Sequence, residues 1–322
     1  MLVEIAPLWS ILLSSQKRKE ALVLATLVDV KGSSYKKPGA MLLVETDGQT
    51  HGLLSGGCLE ADIAEHARDV FETAVAKVLH YDLSDDSIFG LGAGCDGQIT
   101  VLLQLLGGDY QPLASLNPLP TEAQSTQLWL NYQDNDSPLG AYCVAQNKQL
   151  RSNHDNWQQH VQHDSPPPLT YQVPPKVAVC GAGIDAHPLC QMMAQLHWHG
   201  LSFDHRSGLL TTEKLPPNWQ TFKPKLLTEQ VKQQGIDAII IMSHNINRDA
   251  DYLRQAFESD VRFIGLLGPP QRRDKVLSKA GISLNQIGDR LHAPVGLNLG
   301  GRLPENIALS ICAELQQHFF KS

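Results

Sequence analysis

The chain has 322 residues, which at roughly 150 residues per domain predicts about two domains. Apolar residues make up 42% of it and charged residues 18%, as in ordinary globular proteins. The net charge of -7 argues against non-specific binding to nucleic acid or acidic membranes, because no bulk positive charge is available to neutralise phosphates.

The apolar and cysteine patterns predict a cytoplasmic protein. No run of about 18 apolar residues could span a membrane, and no basic region precedes the apolar N-terminus as in a signal peptide. The six cysteines are scattered without a Cys-x-x-Cys pair, so we expect reduced thiols. The early apolar residues instead predict the buried face of a first helix: Leu8, Trp9, Leu12 and Leu13.

The first half of the sequence predicts an α+β domain over residues 1–172. A buried strand is predicted at 21–30, a β-hairpin at 41–54 with Asp47-Gly48 at its tip, and an amphipathic helix at about 59–74. Further strands are predicted at 77–82, 99–106, 128–132 and 140–145, although the pattern over 107–172 is less regular. The stretch 154–175, rich in Gln, His and Pro, predicts a stiff linker.

The second half, residues 173–322, predicts a Rossmann-like doubly wound parallel sheet. It opens with a strand at 177–180, a helix at 184–199 closed by Gly200, and a strand at 201–204. Strands at 237–242 and 261–264 then alternate with helices near 249–257, 271–279 and from Pro304 onward. The whole chain is therefore expected to be α/β, with ligands at the carboxyl ends of the parallel strands.

The G-x-G-x-x-A sequence from Gly181 to Ala186 lies between a predicted strand and a predicted helix. Gly181 permits the tight turn, Gly183 lets a phosphate approach the backbone, and Ala186 keeps the helix close to the strand. Asp204, at the end of the next strand, could bind a ribose hydroxyl, whereas Arg206 could meet an additional phosphate. The alternative is a structural glycine turn without a ligand.

Two other segments could reach a ligand at the same end of the sheet. His244 and Asn245 follow an apolar strand, and the loop with Gly296, Asn298 and Gly300 precedes the last helix as a second candidate phosphate loop. Arg272-Arg273 either holds an anion or covers a helix face.

Two cysteines lie in glycine-rich loops, where a thiol is more accessible than in a strand. Cys58 directly precedes a predicted helix, whose dipole favours the thiolate, although Glu60 opposes this effect. Cys95 lies in the second glycine loop, at 90–97. Both could instead be small buried thiols. The remaining cysteines lie in apolar patterns typical of a core: Cys143, Cys180, Cys190 and Cys312.

Taken together, these motifs make the sequence similar to the XdhC/CoxI family, the accessory proteins of molybdenum hydroxylases such as xanthine dehydrogenase. The resemblance covers nearly the whole chain apart from about 107–172. It rests on the segments 32–40, 55–60, 90–97, 181–183, 204–206, 242–245 with 248–249, 264–269 and 294–297. Three positions depart from the family pattern: Ile184 where relatives often carry His, Asn298 where they often carry Asp, and Lys36-Lys37 in place of an arginine pair.

The resemblance implies a maturation factor that binds molybdenum cofactor of the molybdopterin type. Family members are described as supporting sulfuration of this cofactor with a cysteine desulfurase and delivering it to an apo molybdenum hydroxylase; a homodimer is left open. The phosphate of the cofactor suits a helix N-terminus, and its metal and sulfurs suit a soft thiolate such as Cys58. The expected cofactor-binding residues are Gly181, Gly183, Ala186, Asp204, Arg206, His244, Asn245, Gly296, Asn298 and Gly300, with Cys58 and Cys95 as functional thiols and Cys58 as a molybdenum contact.

The same fold would also permit an NAD(P)-dependent oxidoreductase or a nucleotide-sensing regulatory subunit, since fold does not imply function. In the second half, His244 is the one plausible proton donor for hydride-transfer chemistry. The lack of a clear acid–base pair favours the maturation factor over an enzyme.

Overall fold

The computed structural model describes residues 5–83, 97–116, 125–133, 138–146, 149–153, 166–209, 215–216 and 219–320. The described residues divide into two compact units, one ending at Val173 and the other beginning at Pro174. Among the described helices, none combines the length and the apolar character that a membrane span needs.

The described part of the first unit contains two antiparallel sheets and two α-helices. Its helices are α1 (Ala6–Arg18) and α2 (Glu60–Thr73). One sheet has the order β3-β2-β1-β5-β4 and the other β8-β7-β6-β9. The strands are β1 (Leu22–Lys31), β2 (Met41–Val44), β3 (Thr50–Gly52), β4 (Lys77–Asp82), β5 (Gln98–Leu106), β6 (Ser125–Leu130), β7 (Tyr142–Gln146), β8 (Gln149–Ser152) and β9 (Leu169–Gln172).

Strand β1 is the centre of this unit because its continuous apolar run is buried on both faces of the sheet. Val23 and Leu27 face the apolar side of α2, including Ile63. Leu22 and Leu24 face the opposite core, which contains Leu8 and Leu12 of α1 and apolar residues of the second sheet. Burying two faces explains why the strand shows no alternation of polar and apolar residues.

Two expectations for the first unit need correction. Leu13 is 42% exposed rather than part of the buried face of α1, because Leu8 and Leu12, four residues apart, already form that face. The predicted linker contains a strand, β9, which pairs with β6 and buries Leu169 and Tyr171. Its apolar residues alternate with polar ones over four positions, too short a pattern to stand out beside the prolines.

The second unit has a six-stranded parallel sheet in the order β12-β11-β10-β13-β14-β15. Its strands are β10 (Lys176–Cys180), β11 (His199–Phe203), β12 (Gln220–Phe222), β13 (Ala238–Ile241), β14 (Phe263–Leu266) and β15 (Leu291–His292). Its helices are α3 (Ala186–Gln195), α4 (Leu227–Gln234), α5 (Ile246–Phe257), α6 (Pro270–Ala280), α7 (Leu284–Ile287) and α8 (Pro304–Phe319). The fold prediction, a Rossmann-like sheet with a mixed N-terminal domain, is confirmed.

Helices cover both faces of this sheet, so its strands are apolar throughout. Helices α3 and α8 bury Leu189 and Ile311 against one face, together with Val179 of β10. Helices α5 and α6 bury Leu253 and Val276 against the other face. Two-sided burial of a parallel sheet is the physical reason for sequences such as the Ala-Ile-Ile-Ile of β13.

Helix α3 is shorter than predicted, ending at Gln195 rather than at His199. His197 has a left-handed backbone, with φ of 57°, and its N–H donates to Ala194. Gly200 does not close the helix but lies inside β11, where a Cβ would collide with the ring of Trp219. Gly200 therefore allows close packing against Trp219. In the sequence, a glycine with this role looks the same as a glycine that ends a helix.

Candidate functional site

The parallel sheet has a topological switch point between β10 and β13. Beyond β10 the strand order runs to β11 and β12, and on the other side it runs to β13, β14 and β15. Ligands of open parallel sheets bind outside the carboxyl ends of the strands at such a point. Here the flanking segments are 181–185 after β10, 204–206 after β11 and 243–245 after β13.

The two glycines of the loop after β10 differ in what surrounds them: backbone excludes a side chain at Gly181, whereas at Gly183 the nearest atom belongs to the side chain of Asp185. Gly181 has φ of +121°, and a Cβ there would lie 2.6 Å from the backbone oxygen of Met242. At Gly183 a Cβ would lie 2.6 Å from Asp185 Oδ1. Ala186 is buried at the start of α3, which keeps the helix against the strand as the motif predicts. The bare backbone at Gly183 is a cradle suited in shape to a phosphate.

Asp204 is fully buried, and both of its carboxylate oxygens bind groups of the chain. Oδ2 accepts hydrogen bonds from the backbone N–H of Ala182 at 2.7 Å and from Arg206 Nη2 at 2.8 Å. Oδ1 accepts from the backbone N–H and the Nε of Arg206, at 2.8 and 2.9 Å. A carboxylate offers about four acceptor positions. The predicted contact with a ribose hydroxyl is therefore not favoured, and the geometry assigns Asp204 to holding the glycine loop and Arg206.

The environment of Asp204 strongly favours its ionised form. Burial by itself would raise the pKa of this carboxyl, but the hydrogen bonds from Arg206 and Ala182 outweigh burial and lower the pKa to about 2. The hydrogen bond to Asp204 in turn raises the pKa of the Arg206 guanidinium. Asp204 and Arg206 therefore place one fixed negative and one fixed positive charge beside the switch point, in the crevice beyond the carboxyl ends of the strands.

Arg206 keeps donors available for an anion. Its side chain is 47% exposed, and two of its five N–H groups bond to Asp204. Among the described residues no further acceptor bonds the rest. Its Nη2 lies 3.8 Å from the position that a Cβ on Gly183 would occupy, so the guanidinium borders the bare part of the glycine loop.

His244 and Asp185 bridge the switch point. Nε2 of His244 lies 2.6 Å from Oδ2 of Asp185, so one segment after β13 contacts one after β10. The His244 side chain is 62% exposed, and its backbone is left-handed, with φ of 59°. A non-glycine residue in this region is uncommon and often marks a functional position. The structure therefore brings His244 to the glycine loop.

Asn245 has a structural role in addition to its predicted one. Its Oδ1 accepts hydrogen bonds from the backbone N–H groups of Asn247 and Arg248, which makes it the N-cap of α5. Asn is among the preferred N-cap residues, so this role could have been predicted from the helix pattern alone. The oxygen of this amide is engaged by the helix, and a ligand contact of Asn245 stays a prediction.

A buried hydrogen-bond network, which was not predicted from the sequence, lies beneath the crevice. Asp249 is fully buried and accepts hydrogen bonds from the N–H and Oγ of Ser243, at 3.1 and 2.5 Å. Its other oxygen lies 2.5 Å from Arg272 Nη2. Arg272 therefore neutralises a buried carboxylate, and Arg273 pairs with Asp274. The sequence did contain a signal for this network: Ser243 follows a strand, and Asp249 lies in the first turn of the next helix.

The glycine loop that precedes α8, at 296–300, is held by a hydrogen bond at one end and exposed at the other. The N–H of Gly296 donates to Glu314 Oε2 at 2.5 Å, and the other oxygen of Glu314 lies 2.7 Å from His292 Nδ1. Asn298 and Gly300 are both exposed, with φ of 81° at Gly300. The Gly296 amide is therefore occupied by the chain itself, while the remaining contacts of this loop stay predictions.

Cys58 lies two residues before α2 and is half-buried. The loop that leads into this helix is held by Glu60, whose carboxylate accepts hydrogen bonds from the backbone N–H groups of Leu54, Ser55 and Leu59 and from Ser55 Oγ. Burial by itself would raise the pKa of Glu60, but these hydrogen bonds lower it. The negative charge of Glu60 therefore sits where the helix dipole was expected to favour a Cys58 thiolate.

The loop bearing Cys58 is bordered by an exposed aromatic ring. Tyr35 is 62% exposed, and a Cβ on Gly56 would lie 3.7 Å from its ring. Cys95 falls outside the described residues. The other four cysteines are buried free thiols, as predicted: Cys143, Cys180, Cys190 and Cys312.

Comparison with known proteins gives the same family in both halves. Residues 177–315 match the XdhC Rossmann domain, and residues 15–82 match the XdhC and CoxI family. The chain is 28% identical over 321 residues to a probable xanthine dehydrogenase component of Bacillus subtilis, covering 93% of both chains. It is 24% identical to the molybdenum cofactor insertion chaperone PaoD of Escherichia coli, covering 91% of this chain and 82% of that protein.

The fold comparison agrees. The crystal structure of a xanthine dehydrogenase from Bacillus halodurans matches with a TM-score of 0.79 and 27% identity, covering 96% of this chain and 94% of that chain. The motif resemblance is therefore confirmed over most of the sequence, and the chain belongs to the XdhC and CoxI family.

Proposed function

We propose that this chain is a maturation factor for a molybdenum hydroxylase of the xanthine dehydrogenase type. It would bind molybdenum cofactor, support its sulfuration with a cysteine desulfurase, and deliver it to the apo-hydroxylase, in the cytoplasm. The observation that carries the proposal is the similarity, over 91% of the chain, to a protein named a molybdenum cofactor insertion chaperone.

The residues at the switch point fit a phosphate-bearing ligand. A Cβ would fill the cradle at Gly183, and the Arg206 guanidinium borders the same space. In this assignment Gly183 admits the phosphate, Arg206 donates to it, and Asp204 holds both in place. Molybdenum cofactor, when bound, supplies the metal and the sulfur chemistry that a hydroxylase needs, and the protein supplies binding and orientation.

The switch point is less suited to an NAD-dependent oxidoreductase, the alternative that the fold permits. The acid expected to bind a ribose diol, Asp204, already accepts four hydrogen bonds from the chain. A nucleotide-sensing protein remains compatible with the cradle, and binding assays separate it from the maturation factor.

The first unit offers a thiol for the proposed sulfuration. Cys58 is half-buried beside glycines, whereas the other described cysteines are buried. Burial also raises the pKa of the Cys190 and Cys312 thiols to about 12, which keeps them as inert thiols. Cys58 is therefore the described thiol best suited to contact a soft metal or to carry a sulfur atom.

The proposal is tested by purifying the full chain under anaerobic conditions and assaying bound molybdenum, pterin and nicotinamide. We expect molybdenum and pterin to co-purify, and the loaded protein to activate an apo-hydroxylase. Bound nicotinamide with steady NADH turnover, lost in His244→Ala, would establish the oxidoreductase instead. Nucleotide without pterin and without activation would support a sensing role.

A further inference from the structure

Asp185 stands at the N-terminus of α3 without capping it. Its carboxylate makes no hydrogen bond to the first-turn amides of the helix. Instead Oδ2 lies 2.6 Å from His244 Nε2, and Oδ1 lies 2.6 Å from the position that a Cβ on Gly183 would occupy. The chain therefore places one of its own anions over the bare face of the glycine loop.

The surroundings of this carboxylate are those expected for a bound phosphate. The guanidinium of Arg206 borders the same space, with Nη2 3.8 Å from the Cβ position on Gly183. The negative charge of Asp185 also contributes to raising the pKa of Arg206. An anion flanked by a guanidinium, an imidazole and a glycine backbone is the arrangement that a ligand phosphate would adopt.

We propose that the Asp185 carboxylate is an internal substitute for a ligand phosphate, and that binding proceeds by exchange of one anion for the other. The ligand phosphate takes the place of Asp185 beside Gly183, Arg206 and His244, while the Asp185 side chain turns away. This inference rests on the proposed function, because it assigns the switch point as the phosphate site. It adds Asp185 as a residue that sets affinity there, and it gives His244 a role as partner of the exchanging anion.

Exchange is required because two anions in this space would repel each other. It is feasible because the Asp185–His244 contact is partly exposed, with side-chain exposures of 25% and 62%, and solvent-exposed polar contacts contribute little to stability. Asp204 cannot exchange in this way, since it is fully buried and its oxygens hold backbone as well as Arg206. Arg206 therefore stays in place when Asp185 leaves.

The exchange is tested by titrating the full-length apo-protein with inorganic pyrophosphate at low ionic strength in a calorimeter. Asp185→Asn keeps the side-chain shape and removes the competing charge, so we expect pyrophosphate to bind about fivefold more tightly. Asp185→Ser, which retains a good N-cap residue, should give the same gain. The matched control is Asp260→Asn, an exposed residue that precedes the amino end of β14, whereas the proposed site lies beyond the carboxyl ends of the strands; its affinity should be unchanged within about twofold.

A double variant separates exchange from a general charge effect. If the phosphate inherits His244 as its partner, the gain from Asp185→Asn shrinks to under about twofold in a His244→Ala background. A full gain in that background, or no gain in Asp185→Asn and Asp185→Ser, overturns the proposal. In the unsubstituted protein, pyrophosphate should also shift the His244 ring resonances in NMR spectra, and unchanged resonances at saturation overturn it as well.

The two proposals can fail separately. Failure to carry pterin or to activate an apo-hydroxylase, with pyrophosphate exchange intact, rejects the maturation role and leaves the exchange. Normal activation of an apo-hydroxylase, with no gain in pyrophosphate affinity in the Asp185 variants, rejects the exchange and leaves the maturation role.

Discussion

Helices α2 and α3 both begin shortly after glycines, yet the chain treats their N-termini differently. At α2 the Glu60 carboxylate is buried and accepts the backbone N–H groups of Leu54, Ser55 and Leu59. At α3 the Asp185 carboxylate accepts none of the first-turn amides and contacts the exposed His244 instead. The first start is closed by an integral part of the fold, whereas the second is covered by a group that can leave.

This difference shows that a glycine-rich helix start is not by itself a ligand site. What matters is whether the anion at the helix start is buried with several hydrogen bonds, as at Glu60, or partly exposed with one side-chain partner, as at Asp185. The comparison also changes the role expected for the helix dipole at Cys58. Its neighbourhood is organised by Glu60, so any function of the thiol depends on its accessibility and softness more than on the helix dipole.

The largest expected effect is on Glu60, where the comparison predicts a structural role. Glu60→Ala leaves buried amide donors without an acceptor and should lower the free energy of unfolding by about 3 kcal/mol. Chemical denaturation followed by circular dichroism measures this change. The control is Glu65→Ala on the exposed face of α2, expected to cost under about 0.5 kcal/mol. An equally small loss for Glu60 would mean that the α2 start is as open as the α3 start.

The next effect concerns Asp204 and the pH dependence of stability. Because the folded-state pKa is lowered to about 2, from an ordinary 3.8, this carboxylate stabilises the fold above about pH 4. That contribution, roughly 2 kcal/mol, is lost as the pH falls from about 4 towards 2. Asp204→Asn should remove it, so the variant is less stable at neutral pH and loses less on acidification. Unfolding curves across this pH range, with Asp260→Asn as control, would contradict the assignment if both variants followed the parent.

A smaller effect, on affinity alone, is expected at Gly183. Gly183→Val places a side chain in the space now occupied by Asp185 Oδ1, so pyrophosphate binding should weaken by about tenfold or more. Gly208→Ala, where a Cβ meets nothing within 4 Å, should leave affinity unchanged. Equal affinity of the Gly183 variant, measured by calorimetry, would place the phosphate elsewhere.

The smallest effect on stability is expected at Cys58. Cys58→Ser should change the free energy of unfolding by under about 0.5 kcal/mol, because the side chain is half-buried and nearly constant in size. The same change should prevent activation of an apo-hydroxylase. The buried Cys312→Ser should show the reverse, costing about 1 kcal/mol and leaving activation intact. Normal activation by Cys58→Ser would reduce this residue to a small side chain near a helix start.

Much of the fold could be predicted from the sequence because it depends on local patterns. Strand β4 has the predicted bounds, Lys77–Asp82, and the hairpin of β2 and β3 forms around the Asp47-Gly48 turn. The Rossmann character follows from alternating apolar strands and amphipathic helices, and α8 begins at Pro304 as expected. Prediction was less successful where two patterns overlapped. The prolines before β9 indicated a linker and obscured the short alternation of apolar and polar residues that forms the strand.

The sequence by itself determined the two-part α/β organisation, the glycine turn at Gly181–Ala186 and the buried thiols, since these depend on residue type and short spacing. Only the tertiary structure decided which partners the charged groups take. Asp204 turns back to Ala182, 22 residues earlier, and His244 reaches Asp185, 59 residues away. Such pairings depend on the order of the strands in the sheet, in which β10 lies between β11 and β13. Periodicity along the chain predicts where strands occur but does not specify their order in the sheet.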